Sequence, residues 1–146
     1  MIPFNKTYTT GQEIVNISKC IANGKLAGDG EFTLAVQKLM ESKYGVVKTL
    51  LTTSCTDALE MCAILANVDN DTEVIMPSYT FVSTANAFAL RDAKIVFVDS
   101  EKDTPNIDAD KIEELITSKT KVIVVMHYAG IAWGAATARL LLPWAM

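Results

Sequence analysis

Apolar residues recur along this chain with two spacings, one of a helix and one of a strand. Between residues 12 and 23, Ile14, Ile17, Ser18 and Ile21 fall on one side of a helix. The stretch Asn23-Gly24-Lys25-Leu26-Ala27-Gly28-Asp29-Gly30 then breaks it with three glycines. A second helix follows, in which Phe32, Ala35, Val36, Leu39 and Met40 form one stripe expected to be buried. Gly45 is its expected stop, since a left-handed terminal residue costs glycine nothing sterically. Residues 46 to 52, Val-Val-Lys-Thr-Leu-Leu-Thr, are a β-rich run and the first candidate strand.

From there the pattern alternates. Leu59, Cys62, Ala63 and Ala66 mark a helix, and Asp69-Asn70-Asp71 a turn. Residues 73 to 76 read as a short strand ended by Pro77, and Phe81, Ala85, Phe88 and Ala89 as another helical stripe. Residues 94 to 98 are the next strand. Asp108 is placed to cap a helix carrying Ile112, Leu115 and Ile116, and residues 121 to 126 are the most continuously apolar strand. Strands joined by helical connections of this length are parallel, which predicts an α/β sheet covered on both faces. Residues 131 to 146 leave the pattern: they hold both tryptophans, no acid and a single base, Arg139, with Leu140 to Leu142 in a row and then Pro143. Read alone, this is an apolar terminal helix.

Composition narrows the picture. The 146 residues (15.9 kDa) are 50% apolar and 21% charged, with a mean hydropathy of +0.24. That is a chain able to bury a core, and a length for one domain or part of one. The net charge of −4 is spread without basic blocks, which argues against nucleic-acid and anionic-membrane partners. Cys20, Cys55 and Cys62 form no CxxC pair, so neither a disulfide scaffold nor a zinc set is expected. With no leader-like start and no run of ~20 apolar residues, a soluble cytoplasmic protein is the expectation.

In an open parallel sheet, ligands bind beyond the carboxyl ends of the strands, and three segments lie at such places. Thr52-Thr53-Ser54-Cys55-Thr56-Asp57 offers small hydroxyl residues at a helix start, which suits a phosphate. Ser54-x-x-Asp57 fits an ordinary capping box equally well, and the Asp57 carboxylate would repel a phosphate that it faced. In Pro77-Ser78-Tyr79-Thr80-Phe81, an aromatic just past a strand can stack on a flat ring, or Phe81 can join the buried stripe of Ala85 and Phe88. Met126-His127-Tyr128-Ala129-Gly130 contains the only histidine, without triad or metal spacing. Neither G-x-G-x-x-G nor a Walker lysine is present.

Taken together, these segments resemble the DegT/DnrJ/StrS-type sugar aminotransferases. The residues carrying the likeness are Thr52 to Glu60, the run from Glu73 through Pro77-Ser78-Tyr79-Thr80-Phe81 to Ala87, Val96-Phe97-Val98-Asp99, and Thr120 to Gly130. The opening Ile2-Pro3-Phe4-Asn5 and Gly24-Lys25-Leu26-x-Gly28-Asp29-Gly30-x-Phe32-Thr33 resemble more narrowly the branch making dTDP-4-amino-4,6-dideoxygalactose. The likeness covers about residues 1 to 132.

It implies the amino-terminal part of the large domain of the aspartate-aminotransferase fold (fold type I), with an incomplete, mostly parallel sheet and flanking helices. Residues 1–45 would be an N-terminal helical segment, 46–130 a partial coenzyme-binding domain, and 131–146 a tail foreign to the family. The implied cofactor is pyridoxal 5'-phosphate. The implied reaction moves an amino group from glutamate to a keto carbon of a nucleotide-linked sugar, in surface-polysaccharide biosynthesis, by a homodimer. By the same resemblance Ser54, Cys55, Thr56 and Asp57 hold the coenzyme phosphate, through backbone N–H groups and the Thr56 hydroxyl. Phe81 stacks on the ring, and Gly28, Asp29 and Gly30 border the substrate.

The likeness also marks what is missing. The family's later Asp, which pairs with the pyridine nitrogen, and its Schiff-base lysine have no counterpart, and none of the eleven lysines stands in the family's Ser-Phe-x-x-x-Lys setting. The chain alone is therefore expected to be inactive, and the run 46 to 52 to lack strand neighbours, with marginal stability and aggregation as results. The alternative is a non-catalytic assembly module that pairs with a separately encoded remainder or an intact homologue. The abrupt change after Ala132 reads as a shifted reading frame. The expected finding in the coding DNA is an alternative frame just downstream that encodes the Asp-bearing strand and the lysine; if neither frame does, that reading is wrong.

Overall fold

The computed structural model describes residues 1–3 and 5–132. Phe4 in the opening motif, and all of the proposed foreign tail beyond Ala132, lie outside the described residues. The chain forms two compact units, one from Met1 to Leu51 and one beginning at Thr52.

The first unit holds helix α1 (Glu13–Ala22) and helix α2 (Glu31–Tyr44), as the periodicity predicts. Glu13 sits in the first turn of α1, where its carboxylate accepts from the Thr10 and Gly11 N–H groups and the Thr10 hydroxyl. These bonds lower its pKa to about 2. α2 ends at Gly45 with φ 66°, a left-handed cap that glycine adopts without strain. The expected burial of the α2 stripe does not occur, since Val36 is 41% and Leu39 64% exposed. On α1, Ile14, Ile17 and Ile21 are exposed as well. An amphipathic face is buried only where a second apolar surface meets it, and no described residue buries these.

Residues 46 to 52 are not a strand. Their β-branched composition is suited to a pleated surface, but a strand exists only through a hydrogen-bonded neighbour. Here the Thr49 N–H instead donates to the Glu41 carboxylate at 3.0 Å, and Val47 is wholly exposed.

The second unit is a three-layer α/β body. Its strands are β1 (Glu73–Pro77), β2 (Lys94–Val98) and β3 (Thr120–Ile123), all parallel in the order β2-β1-β3. β1 is central, and all five of its residues are buried. Successive side chains point to opposite faces. Val74 and Met76 join Ala63, Ala87 and Phe88, from helices α3 (Cys55–Leu65) and α4 (Val82–Ala89), in one cluster. Ile75 joins Val98, Ile107, Ala109 and Ile112 in the other. Two covered faces explain why this strand reads as an unbroken apolar run.

The helix expected after Asp108 is instead two short 3-10 turns, Ala109–Lys111 and Glu113–Leu115. Asp108 caps the first as predicted, its side chain accepting from the Asp110 N–H. The inward residues Ala109, Ile112 and Leu115 are spaced by three, the period of the tighter helix.

At the start of β1 the nearly buried Glu73 carboxylate accepts from Lys94 Nζ at 2.7 Å and from the Thr117 hydroxyl at 2.6 Å. Lys94 and then Thr117 hold its pKa below the ordinary 4.5. The stabilisation is therefore complete above that ordinary value and is withdrawn as pH falls through the lowered one. Glu73→Gln should be less stable than the parent at pH 7 in urea denaturation, with the gap closing on acidification. Parallel pH profiles for the two proteins would refute this role.

Candidate functional site

The candidate coenzyme residues lie in the second unit, at the start of α3 and where the chain leaves β1. β1 runs into Ser78-Tyr79-Thr80-Phe81, after which α4 begins. Phe81 occupies the N-cap position of α4 in extended conformation (φ −71°, ψ 144°). It is 70% exposed, whereas Phe88 on the same predicted stripe is 2% exposed. Phe81 thus stands outside the helical stripe, and the reading that buries it with Ala85 and Phe88 is excluded. An exposed ring of this kind is costly to leave in water and well suited to cover another flat ring.

The start of α3 lies alongside. Thr56 and Glu60 of α3, with Ser83, Asn86, Ala89 and Leu90 of and beside α4, line an open groove of about 450 Å³. Ser54 is the N-cap of α3, and its hydroxyl accepts from the Asp57 N–H at 3.1 Å. The Asp57 carboxylate takes the Thr53 hydroxyl, and this bond, followed by Ser54, keeps its pKa below the ordinary range. The capping reading is therefore realised, and the Asp57 N–H is engaged within the cap. Cys55 and Thr56 occupy the first two helical positions, whose N–H groups have no acceptor within a helix. Those donors, the Thr56 hydroxyl and the helix dipole fit an anion such as a phosphate monoester.

The segment after β3 meets the segment after β1. Tyr128 packs edge-on against Tyr79, with ring centroids 4.8 Å apart and planes at 61°. A hydrogen bond with Tyr79 raises the Tyr128 pKa above the phenolic norm of 10.0. His127 is exposed, and Ala129 has φ 52°, a left-handed conformation costing a non-glycine residue about 1–2 kcal/mol. The turn is held by Asn106, a role with no signal in the sequence, because nothing in Pro105-Asn106-Ile107-Asp108 shows a partner more than twenty residues away.

Gly28, Asp29 and Gly30 belong to the first unit. Asp29 is left-handed (φ 57°) with its carbonyl bound by Lys25 Nζ at 2.8 Å, and Gly30 is the N-cap of α2. Lys25, Gly30 and Glu31, with Asn16 and Cys20 of α1, border an open groove of about 620 Å³. Among the described residues, no cluster of three or more His, Cys, Asp or Glu side chains could hold a metal ion, and no helix is long and apolar enough to cross a membrane.

Known proteins carry the same pattern. Uncharacterized protein MJ1066 of Methanocaldococcus jannaschii is 39% identical over 101 residues, 69% of this chain and 26% of that protein. GDP-perosamine synthase of Caulobacter vibrioides is 31% identical over 120 residues, 82% of this chain and 32% of its own. Among solved structures, the PLP-form of Spr1654 from Streptococcus pneumoniae superposes with a TM-score of 0.85 at 29% identity, over 96% of this chain and 36% of that one. A PMP-form of Spr1654 superposes equally well. For 3-amino-5-hydroxybenzoic acid synthase the TM-score is 0.87 at 26% identity, over 100% of this chain and 38% of that one.

The chain thus spans between a quarter and two fifths of the length of these relatives. Its fold is that of the amino-terminal part of the large domain of fold type I pyridoxal-phosphate enzymes. The model of the DegT/DnrJ/EryC1/StrS aminotransferase family matches residues 8–135. With that match covering most of its length, and with strands, helix start and aromatic residue arranged as described, the chain belongs to the DegT/DnrJ/EryC1/StrS aminotransferase family.

Proposed function

We propose that this chain provides the coenzyme shelf of a pyridoxal-phosphate-dependent sugar aminotransferase. The observation that carries the proposal is the exposed Phe81 ring at the carboxyl end of the central strand, in the same unit as the first turn of α3. Pyridoxal phosphate, when bound, supplies an electron sink for moving an amino group. The Cys55 and Thr56 N–H groups and the Thr56 hydroxyl hold its phosphate, and Phe81 covers its ring. Ser54 and Asp57 fix the shape of the turn, so that the cap keeps the two free donors aimed outward. Gly28, Asp29 and Gly30 border the sugar.

The amino donor in this proposal is glutamate, and the acceptor a dTDP-linked 4-keto-6-deoxy sugar of cytoplasmic surface-polysaccharide biosynthesis. The support for dTDP is the Gly24 to Thr33 motif; one relative, GDP-perosamine synthase, carries a different nucleotide in its name. The chemistry needs a lysine and a ring-nitrogen partner in family settings that these 146 residues do not contain, so in this proposal the polypeptide by itself binds coenzyme at most weakly and does not turn over.

A second reading, assembly with a separately encoded remainder or an intact homologue, is favoured by the exposed Ile14, Ile17 and Ile21 of α1 and by Leu39 of α2. Homodimerisation as in the intact family belongs to the same proposal. Co-expression with such a remainder should give a co-purifying complex with aminotransferase activity.

Titration of the chain with pyridoxal 5'-phosphate should give saturable binding, weakened about three- to tenfold by Phe81→Ala, the scale of one aromatic stacking contact. Thr56→Val should weaken it by a comparable factor. Borohydride treatment should leave no lysine stoichiometrically labelled with a pyridoxyl group. Unchanged affinity in both variants would remove the proposed shelf.

A further inference from the structure

Asn106 is a polar side chain buried to 1% exposure, and both ends of its amide are spent on one distant turn. Its Oδ1 accepts from the Tyr128 N–H at 3.1 Å, and its Nδ2 donates to the Ile131 carbonyl at 3.1 Å. These two partners bracket Ala129 and Gly130, the consecutive positive-φ residues (52° and 80°) of that turn. An alanine stays in this conformation only when its surroundings fasten it there, and the amide holds the backbone on both sides of it.

Asn106 is itself held. Its N–H donates to the Thr104 hydroxyl at 3.3 Å, and its carbonyl accepts from the Glu101 N–H at 2.9 Å. The loop carrying it follows β2, the turn it grips follows β3, and β1 lies between those strands in the sheet. The amide therefore links the two loops flanking the central strand's exit. From the segment after that strand, Tyr79 meets Tyr128, so segments from all three strands are joined at one place.

We infer that Asn106 is a positioning residue for the coenzyme site: by fixing the 128–131 turn it sets the Tyr79–Tyr128 pair as a rigid aromatic wall beside the segment that carries Phe81. This rests on the reading of Phe81 as the ring platform. Asn106 touches no ligand; it acts through Tyr128, which in turn orients the half-exposed Tyr79. A hydrophobic residue of similar size would fill the space but leave the Tyr128 N–H and the Ile131 carbonyl without these bonds, freeing the turn.

The test uses the full chain with pyridoxal 5'-phosphate as the probe, in the parent, Asn106→Ala, Tyr79→Ala and the double variant, at a temperature where circular dichroism shows each folded. Asn106→Ala should weaken coenzyme binding about tenfold alone and add less than twofold to Tyr79→Ala. A purely structural asparagine would lower the melting temperature without changing affinity, or would cost the same factor in both backgrounds. Either result overturns the inference. Asn106→Asp, which keeps the acceptor for the Tyr128 N–H, should fall between parent and Asn106→Ala, and it carries the test if the alanine variant fails to fold.

Should the parent bind no coenzyme, the proposed function fails, and NMR decides the positioning separately. Asn106→Ala, or Asn106→Asp if alanine does not fold, should then lose hydrogen-exchange protection at the Tyr128 amide and the Tyr79–Tyr128 ring contact. Persistence of both would overturn the inference as well.

Discussion

The second unit depends on burying one strand on both faces. β1 has five residues, and each face of it meets its own apolar layer: Val74 and Met76 meet α3 and α4, and Ile75 meets the segment around Ile107 and Ile112. A strand with no solvent face has no polar side on which to rest, so its neighbours must come from elsewhere in the chain. Both neighbours run parallel to it, and the crossovers that parallel pairing requires bring the carboxyl ends of β1, β2 and β3 to one edge. The candidate site stands there for this reason: segments leaving a buried parallel sheet are the first backbone free to carry exposed side chains.

Much of this architecture is legible in the sequence because it depends on near neighbours. The first four helices, the Gly45 stop, the Ser54 and Asp108 caps and the strands at 73 and 94 are set by residues within a turn or two of each other, and these are found, while the strand expected over 121 to 126 ends at Ile123. The exceptions share one physical cause. Residues 46 to 52 have strand composition and no strand, because pairing is a property of two segments. α2 forms as predicted but leaves most of its apolar stripe exposed and buries Gln37 instead, because burial too needs a second surface. The segment after Asp108 coils more tightly than an α-helix, because its inward residues answer to the sheet beneath them rather than to intrinsic helix preference.

The site divides in the same way. The two roles open for Ser54 to Asp57 are resolved in part: the cap is formed, and it takes the Asp57 N–H while leaving the first two helical positions for an anion. Phe81 was ambiguous in sequence, because stripe spacing and strand-end position pointed in opposite directions. Its exposure removes the buried-stripe reading. Asn106 carries no local signature, since a buried amide is recognised only by what it bonds, and its partners are supplied by the turn after β3. The α3 cap is thus written locally, and the Asn106 link to the 128–131 turn only in three dimensions.

Glu73 gives the sheet a further property. A central strand made of Val, Ile and Met could slide along its neighbours with little change in its apolar contacts, since one branched side chain substitutes well for the next. The carboxylate at its first position cannot slide in that way: a one-residue slip would take it from Lys94 and Thr117 and turn Val74 and Met76 towards the opposite layer. One acidic group at the rim thus acts as an alignment pin for the β1–β2 pairing, whose register runs unbroken from Glu73–Lys94 to Pro77–Val98, whereas the β1–β3 register shifts between Glu73 and Val74.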